Sequence, residues 1–176
     1  IPALTMKMVA EENRLGTIEL LTTKDITDGQ IIRGKFFACL ILIFISLICT
    51  LPYYITISQL GNIDDGAVIG GYVGLLFLSG SYVAIGLFAS SITTNQIVAF
   101  LVALFVGIFF HLLFDVMGTS TSGVLGSFFN YLSMRVHFDS ISRGVVDSRD
   151  LVYFGSIITM GLYLAELMLS KRNWQS

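Results

Sequence analysis

The chain has 176 residues, of which 55% are hydrophobic and only 12% charged, and its net charge is −2. Average globular domains carry about 25% charged residues, so this composition excludes an ordinary water-soluble domain, and the lack of a basic tract excludes a nucleic-acid binder. Cys39 and Cys49 lie in an apolar run with no partner at metal-ligand spacing, which excludes a disulfide framework and reads as membrane-buried thiols.

Residues 1–10 (IPALTMKMVA) read as the end of a preceding membrane helix. The Ile-Pro start, without a basic leader or cleavage site, suggests an amino-terminally truncated chain. Residues 11–35 gather much of the charge. Leu15, Ile18 and Leu21 recur at helical spacing with Glu11, Glu12, Arg14 and Glu19 on other faces, the pattern of a short amphipathic helix at a membrane surface whose apolar side anchors to the bundle. Thr27 with Gln30 forms a capping-box pattern that opens the next helix. Within this segment Gly29 to Phe36 nearly matches a phosphate-binding loop. Phe36 stands where that loop needs a hydroxyl for Mg²⁺, and a lipid-spanning helix follows instead of a strand preceding, so any ATP used is expected on another chain.

A helix of about 20 apolar residues crosses roughly 30 Å of hydrocarbon. Four such stretches follow, at 36–60, 67–90, 96–114 and 151–169. The second and third share an unbroken uncharged run, residues 66–114, with SSITTNQ as the turn between them. Pro52 in the outer third of the first crossing should bend it. The predicted fold is an all-α membrane protein, a polytopic helical bundle. Lys7, Arg14, Lys24, Arg33, Lys35, Lys171 and Arg172 outnumber Arg135, Arg143 and Arg149, which places both visible ends in the cytoplasm. Gly70 with Gly74, and Gly86 with Ser90, are small residues four apart, fitting close helix packing within the subunit or at a subunit interface.

Residues 115–150 form the outer segment. Its glycines and hydroxyls at 118–127 read as a turn, and FFNYLSMRVHF as a re-entrant or interfacial helix too short to span. Phe128, Phe129, Tyr131, Arg143 and Asp147 are the candidate outer-gate residues, with plain interfacial packing as the alternative. No catalytic or metal site emerges. His111 and Asp115 supply too few ligands, and Ser120, Ser122, His137 and Asp139 lack a nucleophile elbow. Glu166, about one turn from the inner membrane edge, is placed to snorkel or to pair with a neighbouring helix.

The element E-E-x-R-x-G-T-x-E-L-L at Glu11 to Leu21, followed by T-x-x-x-[IV]-x-x-x-x-[IL]-x-x-G-K at Thr22 to Lys35, resembles the cytoplasmic element of type-2 ABC transporter permeases. HFDSISRGVVDSRDLVYF, residues 137–154, is similar to the segment before the last helix in the gliding-motility-associated and nitrous-oxide-type permeases. Thr23-Lys24-Asp25 departs from the family, where many relatives carry Pro near Lys24. The resemblance covers essentially the whole chain as a single permease domain. It implies six helices, of which the last four are visible here, and a cytoplasmic coupling helix. Glu11, Glu12, Arg14, Gly16, Thr17, Glu19, Leu20 and Leu21 would then dock on a separate ATPase subunit that binds ATP and Mg²⁺. It further implies an inner-membrane location, a second permease subunit as homo- or heterodimer, and export of a substrate that the sequence does not identify. A non-transporting membrane anchor for a cytoplasmic partner is the alternative. A channel is a weaker reading, since no crossing carries a polar stripe.

Overall fold

The computed structural model describes residues 1–15, 27–61, 64–121, 123–145 and 147–173. Among them the secondary structure is helical throughout. Two short helices, α1 (Pro2–Thr5) and α2 (Ala10–Leu15), precede α3 (Asp28–Ile48) and α4 (Leu51–Leu60). Then come α5 (Asp65–Ile92) and α6 (Gln96–Ser120), the cap helices α7 (Val124–Leu132) and α8 (Met134–Ser142), and α9 (Ser148–Asn173). Four helical spans, Asp28–Leu60, Asp65–Ile92, Gln96–Ser120 and Ser148–Lys171, are long and apolar enough to cross a membrane.

The caps explain where these helices begin. Thr27 Oγ1 accepts from the Gln30 N–H while Gln30 Oε1 accepts from the Thr27 N–H, so the capping box forms. Asp64 and Asn95 side chains cap α5 and α6 in the same manner. Helix from Asp28 onward also removes the phosphate-loop pattern: the N–H groups of a helix interior point along its axis to carbonyls one turn back and cannot cradle an anion. The first crossing breaks at Cys49–Thr50, just ahead of Pro52, whose ring would clash with the carbonyl four residues earlier. Tyr72 lies 2.8 Å from Thr50 Oγ1, and Tyr54 donates to Asp65 at 2.5 Å, so the bent end is held against α5.

Helix α5 is the central post: 61% of its most apolar stretch is buried, against 11%, 17% and 22% in the other three spans. Its small residues are the reason. Gly80 meets Ile158, Ala84 meets Gly161, and Phe77 stacks on Phe154 with ring centroids 6.4 Å apart, so α5 and α9 run side by side in the same direction. One apolar core joins Val9, Ile32, Phe36, Cys39, Leu87, Ala165 and Leu169 at the α2 end. A second joins Ile85, Met134, Ile141, Phe154 and Ile157 toward the cap end.

Several expectations change here. Residues 1–10 are not one continuous helix end, because the chain turns between Thr5 and Ala10. Leu15 is 66% exposed and does not anchor α2 to the bundle. Helix α6 continues past 114 to Ser120, passing through a π-helical turn at Phe109–Leu113 that seats Phe109, Phe110 and Phe114 against one another. The turn expected at 118–127 therefore narrows to the residues around Gly123, whose φ of 89° suits glycine. FFNYLSMRVHF is not one helix but the end of α7 and the start of α8, parted by an extended Ser133.

Candidate functional site

Two polar assemblies sit at opposite ends of the bundle. At the α2 end, the α1–α2 turn is fastened to two crossings. Ser90 Oγ accepts from the N–H groups of Val9 (3.1 Å) and Ala10 (2.9 Å) and donates to the Met6 carbonyl (3.1 Å). A hydroxyl has one donor and two acceptor sites, so this fully buried side chain is satisfied completely. One turn away on α5, Gly86 lies so close to Thr5 that a Cβ would overlap its hydroxyl. From α3, Lys35 donates to the Met8 carbonyl and pairs with Glu12 of α2. Glu166 of α9 lies over the first turn of α3, where a Cβ on Gly29 would come 2.5 Å from Oε1. A carboxylate there is favoured by the positive end of the helix.

Of the predicted coupling residues, Glu11 is half-buried, Glu12 makes the pair just described, and Arg14 is exposed. Gly16, Thr17, Glu19, Leu20 and Leu21, together with Ile18, lie outside the described residues. Ser90 and Lys35 as fixings of α2 were not read from the sequence. In the sequence Ser90 stands out only for its size, and Lys35 for its charge and as the end of the G-K motif.

At the other end, α7 folds back on α6. Gly118 and Gly126 permit this: a Cβ on Gly118 would overlap the Asn130 amide, and one on Gly126 the Thr121 carbonyl. Phe129 stacks on Phe114 at 6.1 Å, with Phe128 edge-on to Phe129 and itself 59% exposed. Helix α8 then packs across α5, where Gly70 meets the Ile141 carbonyl and Gly144, and Gly74 meets the Phe138 ring. All four small residues named from sequence, Gly70, Gly74, Gly86 and Ser90, are thus buried against this chain's own elements.

The cap is joined to the last crossing by a buried polar cluster. His137 Nδ1 lies 2.6 Å from Asp150 Oδ1, and Nε2 lies 2.9 Å from the Tyr131 carbonyl. The imidazole stacks on Tyr153 with centroids 3.9 Å apart, and the Tyr153 hydroxyl donates to the Leu132 carbonyl at 2.5 Å. His137 and Asp150 are each only 5% exposed. On the cap's exposed side Arg135 bonds Asp115 at 3.0 Å and approaches Asp139 at 3.8 Å.

The predicted gate residues are therefore spread out. Tyr131 contributes its carbonyl to His137. Arg143 is exposed and ends α8, while exposed Asp147 accepts from the Arg149 N–H at 3.1 Å and opens α9. Among the described residues no ion pair joins those two. His137 pairs with Asp150 and not with Asp139, and Asp115 pairs with Arg135 and not with His111. No group of three metal-ligating side chains occurs among the described residues. The His137–Asp150 pair escaped sequence reading because thirteen positions and a helix boundary separate its members.

The chain is thus a helical bundle of membrane spans with a polar attachment at one end and a folded-back cap at the other. The family profile described as ABC-2 family transporter protein matches residues 2–169. The chain belongs to that family. It is a membrane component of an ABC transporter, a permease, and the match spans both α2 and the cap of this ABC-2 chain. No curated protein matches the sequence.

Proposed function

We propose that this ABC-2 permease couples ATP hydrolysis by a separate ATPase subunit to export across the bacterial inner membrane, with the segment from Glu11 to Leu21 as the docking element. The observation that supports this reading is the double attachment of α2. Ser90 ties its entry to the central post, and Lys35–Glu12 ties its first turn to the first crossing. A push on the docking element would reach two membrane helices through these bonds, as a rigid-body transition requires.

In this reading both visible ends are cytoplasmic, a second permease subunit completes the pathway, and the cap shapes the outer mouth. ATP and Mg²⁺ belong to the partner. Purification of the intact membrane complex tests the proposal: a nucleotide-binding subunit should accompany the permease in stoichiometric amount. A complex lacking any such subunit would leave only a membrane anchor.

A further inference from the structure

The first crossing leaves an apolar groove beside it, bounded by Phe36, Leu40 and Phe44 of α3, Leu76 and Gly80 of α5 and Ile158 of α9. The groove encloses about 400 Å³, and every residue lining it is apolar. Gly80 deepens it: a Cβ there would meet Ile158 at 3.1 Å and Leu40 at 3.8 Å. A water needs two to four polar partners to stay in a cavity, so this groove is dry. Phe44 is 49% exposed and lies within a span apolar enough to cross a membrane, so the open side meets lipid chains.

At the α2 end the groove runs into charge. Arg33, Phe36, Leu40 and Phe44 stand three and four residues apart, on one face of α3. The exposed Arg33 donates from Nε to the Gly29 carbonyl at 3.0 Å, which turns its head toward the helix start and away from the apolar residues. Glu166 reaches the same glycine from α9. Neither makes an ion pair among the described residues. A cation and a carboxylate thus flank Gly29 at the mouth of a dry groove. From Arg33 to Phe44 the helix rises about 16 Å. That is close to half of a hydrocarbon core of roughly 30 Å, the depth an acyl chain fills in its own leaflet. A second helix, about 10–12 Å across, would rest on the rims, whereas an unbranched chain can follow the recess at Gly80.

We propose that this groove holds a resident phospholipid with a zwitterionic, amine-bearing headgroup. One acyl chain lies along Phe36 to Phe44, the phosphate pairs with Arg33 and the ammonium with Glu166.

The test uses the full protein, purified in detergent, stripped of lipid and titrated in native mass spectrometry. The probes are phosphatidylethanolamine and phosphatidylglycerol with identical acyl chains. One phosphatidylethanolamine per chain should bind ahead of all others. Arg33→Gln should weaken that site by about tenfold, the scale of one charge-assisted hydrogen bond. Leu76→Trp, which fills the groove, should remove the site, while Leu75→Trp, at an exposed position outside the groove, should keep it. Glu166→Gln should abolish the preference over phosphatidylglycerol. A wild type that binds both lipids equally overturns the proposal, as does one that binds neither or forms a lipid-free dimer through this face. A first lipid that survives both Arg33→Gln and Leu76→Trp overturns it too. If Leu76→Trp does not fold, Arg33→Gln still decides, since its side chain is exposed. No ATPase enters these measurements, so their failure would leave the proposed coupling function untouched.

Discussion

At the scale of single residues, Ser90 holds a position that its size alone would not explain. Its hydroxyl serves two N–H donors and one carbonyl in a site without solvent. Ser90→Ala would strand the N–H groups of Val9 and Ala10, and leaving a buried donor unsatisfied costs about 1–3 kcal/mol. Thermal unfolding in detergent should show the loss, and an unchanged midpoint would mean that the α1–α2 turn is held by other contacts. Lys35 and Glu12 make a sharper case because each depends on the other. Lys35→Met and Glu12→Gln should each destabilise the attachment, with the double variant no worse than the worse single one. The double-mutant cycle should therefore return an interaction energy of about 0.5–3 kcal/mol, and simple additivity would count against the pair.

Among the elements, the cap shows what glycine spacing accomplishes. Gly126 approaches the Thr121 backbone carbonyl so closely that no side-chain rotation could admit a methyl group. Gly126→Ala should therefore pry α7 from α6 at a cost of about 1–3 kcal/mol. Faster amide exchange at residues 124–132, with α3 unaffected, would be the sign of it; slow exchange there would show that the hairpin tolerates the change. The sequence exposed the crossings well, because an uncharged run has few physical alternatives to a membrane span. Pro52 foretold the break at Cys49–Thr50, and Thr27 with Gln30 the start of α3. It did not expose the π-helical turn at Phe109–Leu113, which leaves the apolar pattern unaltered. Nor did it expose the split at Ser133, where local polarity is weak and the packing of α8 on α5 decides the geometry. The polar cluster around His137 depends on that packing, so its members could be seen only after the helices were in place.

For the molecule as a whole, polarity is concentrated at the two ends while the middle is joined by apolar and small-residue contacts through α5. In the proposed reading such a body would pass displacement along α5, with the α2 attachment at one end and the cap at the other. The proposed docking segment begins at the attachment, so altering it should disturb coupling more than assembly. The most direct measurement is ATP hydrolysis by the purified complex, comparing the wild type with Glu11→Ala, Gly16→Pro and Glu19→Ala. The variants should still reach the membrane and assemble, while the permease's effect on the hydrolysis rate drops by about tenfold, corresponding to about 1.4 kcal/mol in the barrier. Hydrolysis that responds to the permease equally in all four proteins would contradict the proposed role of this segment.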